Sequence, residues 1–116
     1  MSCVVREDEI TIVELDPSYD SLDDQVLAEF GGVLLSEAAH ADPPRLVLDF
    51  SRTTFIGSSF IELLIRAWKR LQQRSGTMVL CGVQPLCLEI LEVTRLTSIW
   101  RIYPTRQEAV ESLRCG

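Results

Sequence analysis

Two hydrophobic periods take turns along this chain. Residues 9–15 read Glu-Ile-Thr-Ile-Val-Glu-Leu, a near-alternating pattern rich in β-branched residues that predicts a strand, with Val4 and Val5 as a short partner strand before it. Asp16-Pro17-Ser18-Tyr19-Asp20 is turn chemistry, because proline presets φ and Asp and Ser side chains bond nearby backbone. A helix follows from about Ser21–Asp24, with Leu22, Val26, Phe30, Val33 and Glu37 expected along one face. Gly31-Gly32 interrupts it, so either the helix bends there or another backbone packs close; Asp42-Pro43-Pro44 ends it. Arg45-Leu46-Val47-Leu48-Asp49-Phe50 is a short apolar run with charged ends, the pattern of a central strand covered on both faces.

After the loop Ser51-Arg52-Thr53-Thr54 and the apolar step Phe55-Ile56, the clearest helix of the chain begins. Phe60, Leu63, Leu64, Ala67, Trp68 and Leu71 form one apolar stripe, Glu62, Arg66, Lys69 and Gln73 share the opposite face, and Ile61 and Ile65 lie on the flank. Ser75-Gly76 stops it, with glycine as the C-terminal signal. Thr77–Val83 reads as another buried strand, and Pro85 suits the first position of a helix filled by Leu88, Ile90, Leu91 and Val93. Ile99–Tyr103 alternates as a short strand, and Thr105 with Glu108 makes a capping box ahead of a last helix carrying Ala109, Val110 and Leu113. Strands alternating with helices predict an α/β fold: a mixed, mostly parallel central sheet of four to five strands with four helices. The 116 residues suit one domain, 1–116, with its core over about 4–113.

Composition narrows the function. The net charge is −6, which argues against nucleic acid, whose phosphates call for clustered Lys and Arg. No apolar run reaches the length of a membrane span, and the opening Met1–Asp8 has no secretory h-region, so no membrane insertion and a cytoplasmic location are expected. The cysteines Cys3, Cys81, Cys87 and Cys115 form no C-x-x-C pair and His40 is the sole histidine, so zinc is not expected. Asp16, Asp20, Asp23 and Asp24 are acidic but lack the spacing of an EF-hand loop, and read as a solvated turn and helix start. With no G-x-G-x-x-G and no phosphate-binding loop, no cofactor is expected.

Gly57-Ser58-Ser59 sits where a strand gives way to a helix, the place of a nucleophile elbow. It lacks the second glycine, and His40 precedes the serines instead of following them, so no enzyme and no catalytic residue is expected. Two readings of the serines remain. One serine caps the helix through its hydroxyl. Alternatively, one is phosphorylated: the dianion would be tolerated by the helix N-terminus and felt by a docked partner.

From about Val4 to Leu113 the chain resembles the STAS domain, the family of bacterial anti-sigma factor antagonists. The stretch Leu46–Ser59 carries the likeness: an apolar strand, Asp49, an apolar residue, a polar loop and the serine pair, where the family has Phe/Ile-Asp-Ser-Ser/Thr-Gly-Leu. Leu91-Glu92-Val93-Thr94-Arg95-Leu96 is similar to the family's Leu-Glu-Leu-Thr-Gly-Leu. The resemblance implies a regulator of signal transduction and transcription. It binds a protein partner, an anti-sigma factor that is also a kinase, and is switched when that kinase phosphorylates a serine at the start of the second helix. Ser59 aligns with the phosphoacceptor and Ser58 is its neighbour. Three positions depart from the pattern: Gly57 replaces the acid before the serines, Phe60 the glycine after them, and Arg95 a helix-ending glycine. Phe60 either enters the core, as its stripe position indicates, or crowds the partner's approach. The expected partner surface comprises Gly57, Ser58, Ser59, Ile61, Ile65 and Lys69, with a homodimer left open. The alternative is an unphosphorylated STAS scaffold, or an accessory subunit of a sensory complex or lipid-transport system.

Overall fold

In the computed structural model of the chain, residues 3–7, 9–15, 18–19 and 24–114 are described. Their elements are β1 (Cys3–Glu7), β2 (Ile10–Glu14), β3 (Ser18–Tyr19), α1 (Asp24–His40), β4 (Arg45–Asp49), β5 (Phe55–Ile56), α2 (Ser58–Gln73), β6 (Thr77–Cys81), α3 (Pro85–Val93), β7 (Ile102–Tyr103) and α4 (Arg106–Arg114). A five-stranded sheet runs in the order β1-β2-β4-β6-β7, with β1 antiparallel to β2 and every other pairing parallel. This is the α/β domain with four helices and a mostly parallel mixed sheet that the two periods predict.

Alternation along β4 explains its unbroken apolar run. Leu46 and Leu48 enter a large core with residues of α1, α2 and α3, while Val47 points the other way into a smaller core with Ile10, Ile12, Val79 and Cys81 and with Ala109, Val110 and Leu113 of α4. The partner strand expected at Val4-Val5 is β1. The turn expected at 16–20 contains a short strand: Ser18–Tyr19 pairs in parallel with Phe55–Ile56, a non-local contact that local turn propensity does not register. Of the strand expected at 99–103 only Ile102–Tyr103 forms. Leu96–Ser98 is a 3-10 turn, and Trp100 is buried edge-on to Trp68 at 6.4 Å between ring centroids.

The buried face of α1 is not the expected one. Leu27, Phe30, Leu34 and Ala38 are buried, whereas Val33 and Glu37 are only half-buried; Leu22 and the side chain of Val26 lie outside the described residues. Both sets keep steps of three and four and share Phe30; the buried one is turned about a quarter of the way around the helix from the expected one, because packing and not periodicity selects the side that faces inward. The glycine pair does not break α1. At Gly31 a Cβ would stand 3.1 Å from Leu63 Cδ2, so this glycine lets α2 pack close; at Gly32 it would meet open space. α2 buries Phe60, Leu64, Ala67 and Leu71 as its stripe requires, with Leu63 and Trp68 half-buried. Its C-terminal signal is displaced by one residue: Ser75, not Gly76, takes the left-handed conformation (φ 57°). Gly76 serves a close approach instead, since a Cβ there would lie 2.5 Å from the Pro44 carbonyl oxygen. Among the described residues no helix is long and apolar enough to cross a membrane.

Candidate functional site

The loop that delivers the serines hangs from the end of β4. Asp49 is nearly buried there, and its Oδ1 accepts from the backbone N–H of Ser51 at 2.9 Å and from the Ser51 hydroxyl at 2.6 Å. Its Oδ2 accepts from Arg106 Nε and an Nη at 3.1 and 2.8 Å, and Arg106 also donates to Glu14 on β2. One guanidinium thus ties the start of α4 to the ends of two strands. From the α3 side, Gln84 Nε2 donates to the Ser51 carbonyl at 2.8 Å and the Cys87 thiol reaches the Thr53 carbonyl at 3.6 Å. The Thr53 N–H closes the turn on the Phe50 carbonyl at 2.9 Å. The loop is therefore held from two sides before the chain enters β5 and α2.

Burial by itself pushes the Asp49 carboxyl up. The hydrogen bonds from Ser51 and the Arg106 guanidinium outweigh it and hold the group below the usual aspartate value. Across the strand pair, burial and the neighbouring Asp49 carboxylate push the Cys81 thiol up to about 12. Cys81 and Cys87 are both buried free thiols. Apart from Asp49, which belongs to the apolar-strand motif, this network was not legible along the sequence. One signal for Arg106 exists: a cation in the first turn of a helix opposes the helix dipole, and such a residue calls for a partner.

At the head of α2, Gly57 is the N-cap and neither serine caps the helix. Its backbone is extended (φ −105°, ψ 179°), a conformation open to any residue, so the glycine is not required by the turn. Ser58 and Ser59 are the first two residues of the helix, and both are exposed. The backbone ladder starts only at Ile61, whose N–H reaches the Gly57 carbonyl at 3.2 Å, and the first turn carries no acid. The positive end of the dipole therefore has no acidic counter-charge in the first turn. The next residue turns the opposite way: Phe60 is fully buried, stacked on Phe30 at 5.0 Å and edge-on to Phe50 at 5.9 Å. It anchors the helix start in the core and does not crowd the surface.

The expected surface residues divide between two sides of α2. Ser59 opens onto a groove of about 300 Å³ between α1 and α2, lined also by Leu27, Ala28, Glu62, Leu63 and Arg66. Arg66 pairs with Glu62 at 3.6 Å on its rim. Ser58 is followed at steps of three and four by Ile61, Ile65 and Lys69, so these four share the other side of the helix. Ile61 and Ile65 are half-buried against the main core and Lys69 is exposed. His40 is remote. It is exposed at the end of α1, with Nδ1 3.0 Å from the Ser36 carbonyl. That end lies beside the far end of α2, where Arg74 donates to the Ala38 carbonyl at 3.0 Å. The fifteen residues from Ser59 to Arg74 span about 22 Å of helix, which separates His40 from the serines. Asp16, Asp20 and Asp23 lie outside the described residues, and Asp24 opens α1. Among the described residues no three His, Cys, Asp or Glu side chains are grouped to hold a metal ion.

Comparison with known proteins gives concordant results. A family model described as the STAS domain matches residues 4–109. A protein from Planctomyces limnophilus, an anti-sigma-factor antagonist (STAS) domain protein of solved structure, is 31% identical; the match covers 97% of each chain with a TM-score of 0.82. BtrV of Bordetella bronchiseptica, which carries the name of an anti-sigma factor antagonist, is 28% identical over 108 residues, 84% of this chain and 93% of that one. The Bacillus cell fate determinant SpoIIAA in its phosphorylated form shares the fold, with a TM-score of 0.73 at 16% identity over 97% of this chain and 99% of that one.

Proposed function

This chain belongs to the STAS domain family, and on that footing we propose that it is a cytoplasmic anti-sigma factor antagonist, docking an anti-sigma protein kinase through the head of α2 and released when Ser59 is phosphorylated. The observation that carries the reading is the Ser59 hydroxyl, exposed at a helix start with no side-chain cap and opening onto the α1–α2 groove. The kinase reaches it without unfolding anything. The phosphate, at a charge of roughly −1.5 to −2, meets the positive end of the helix dipole, so the fold accepts it. The partner does not: a dianion at the rim of this partly apolar groove costs desolvation and repels acids on the docked surface. The names of the Planctomyces and Bordetella relatives support the general role, and the phosphorylated SpoIIAA fold is compatible with the switch.

The test is incubation with ATP and a candidate ATP-binding anti-sigma protein, followed by peptide mapping. Phosphate is expected on Ser59, absent in Ser59→Ala and retained in Ser58→Ala, and Ser59→Asp is expected to weaken binding of the same partner. Binding that ignores Ser59→Asp, with no phosphate incorporated, supports the other reading, a constitutive scaffold. That reading is favoured by Gly57, which removes the family's acid beside the serines.

A further inference from the structure

α1 and α2 pack side by side in the same direction. Gly31 meets Leu63 and, farther along both helices, the Ala38 carbonyl accepts from Arg74. Two grooves lie along this seam. The first is the one onto which Ser59 opens, with Arg66 on its rim. The second, of about 450 Å³, is lined by Ala39, Arg70, Gln73 and Arg74. Ser59, Arg66, Arg70 and Arg74 follow one another at steps of seven, four and four, so they share the side of α2 that borders both grooves. Successive arginines of this row stand about 6 Å apart along the helix axis.

The row loses its counter-charge as it leaves the serine. Arg66 is matched by Glu62, but beyond Glu62 the helix and its C-cap carry Arg66, Lys69, Arg70 and Arg74 and no acid. Among the described residues neither Arg70 nor Arg74 belongs to an ion pair. Glu29, Glu37 and Asp42 line neither groove, and Glu37 is held by Arg6 of β1 at 3.7 Å. The helix dipole favours a cation in the last turn; it does not account for a row that starts at Arg66. In a chain of net charge −6 this side of α2 is a local inversion of sign.

We propose that the α1–α2 seam is a cationic track for an acidic helical segment of the docked protein partner, one whose Asp or Glu residues at i, i+4 match the repeat of Arg66, Arg70 and Arg74. The choice of occupant rests on the Ser59 reading above, because the track begins at that serine and continues the same interface. A phosphate on Ser59 stands at the head of the track and repels the acids that occupy it. A second copy does not supply the segment, since no described helix of this chain carries three acids along one side. A bilayer is not favoured, since among the described residues no large apolar side chain is exposed on α1 or α2.

The test titrates the isotope-labelled chain with a synthetic helical peptide of about 16 residues, long enough to run from Arg74 to Ser59. It carries Leu along one face and Glu at every fourth position beside it, and a second peptide carries Lys for Glu. The Glu peptide is expected to shift resonances of α1 and α2 saturably, and the Lys peptide to bind at least about tenfold more weakly. Arg70→Glu is expected to weaken the Glu peptide about fivefold and Arg70→Lys to retain it, with the sheet resonances in place because the Arg70 side chain is exposed and makes no ion pair. Arg95→Glu, the same change of charge outside both grooves, is expected to alter binding less than about twofold. No saturable shift at roughly 2 mM peptide, shifts confined to other elements, equal binding of both peptides, or equal losses from Arg70→Glu and Arg95→Glu overturns the proposal. So does a dimer of the chain alone, or binding to anionic lipid vesicles, that Arg70→Glu abolishes. Phosphorylation of Ser59 without peptide binding overturns the track and leaves the switch standing; peptide binding without phosphorylation supports the track and overturns the switch.

Discussion

Asp49→Asn isolates the clasp that positions the serine loop. The amide keeps an oxygen for Ser51 but presents hydrogens where Oδ2 now accepts two bonds from Arg106 at 3.1 and 2.8 Å. The substitution therefore removes an ion pair and two charge-assisted bonds, and leaves Arg106 with Glu14 alone. Bonds to charged groups contribute roughly 1.5–3 kcal/mol. Breaking a fully buried pair costs about 3–5 kcal/mol, but the Arg106 side chain here is 32% exposed and solvent screens part of that. The expected loss is about 2 kcal/mol at pH 7, a fall of roughly 8 °C in melting temperature for a domain of this size. Urea titration followed by the fluorescence of Trp68 and Trp100 reads it directly. The pH dependence carries the sign. Because the folded carboxyl titrates below its unfolded value, its contribution is complete above the usual aspartate pKa of about 3.9 and is lost as pH falls through the lower folded value. Wild type and Asp49→Asn should converge in that acid range. A difference under about 0.5 kcal/mol at pH 7, or one that persists undiminished below pH of about 3, refutes an ionised clasp.

Three further outcomes are expected. Ser75→Gly should stabilise the domain by about 0.5–1 kcal/mol by relieving a left-handed serine, whereas Gly76→Ala should destabilise it because its Cβ would press on the Pro44 carbonyl; paired denaturation curves check both signs. Phe60→Ala should cost about 3–5 kcal/mol in the same assay through the cavity left between Phe30 and Phe50, while Ser59→Ala, at the exposed neighbouring position, should stay within about 0.5 kcal/mol. Cys81, held at about 12 and buried, should resist alkylation at pH 8 in the folded protein and react at the rate of an ordinary thiol once urea unfolds it, as peptide mapping of the alkylated site will show.

Periodicity alone determined the α/β order, the two-sided burial of β4 and the inward stripe of α2, because each follows from which side of a strand or helix a residue occupies. The Thr105 cap was equally legible, and its Oγ1 accepts the Glu108 N–H at 3.2 Å. Whether Ser58 or Ser59 caps α2 was not, since an N-cap depends on where the preceding backbone stays extended, and that point fell at Gly57. Tertiary structure also decided which serine faces the α1 groove, which flank of α1 is buried, and that Arg106 reaches Asp49 across 57 positions of chain. Local patterns report a residue's side within its own element. The partner on that side depends on how distant elements pack, and no window of neighbouring residues contains that information.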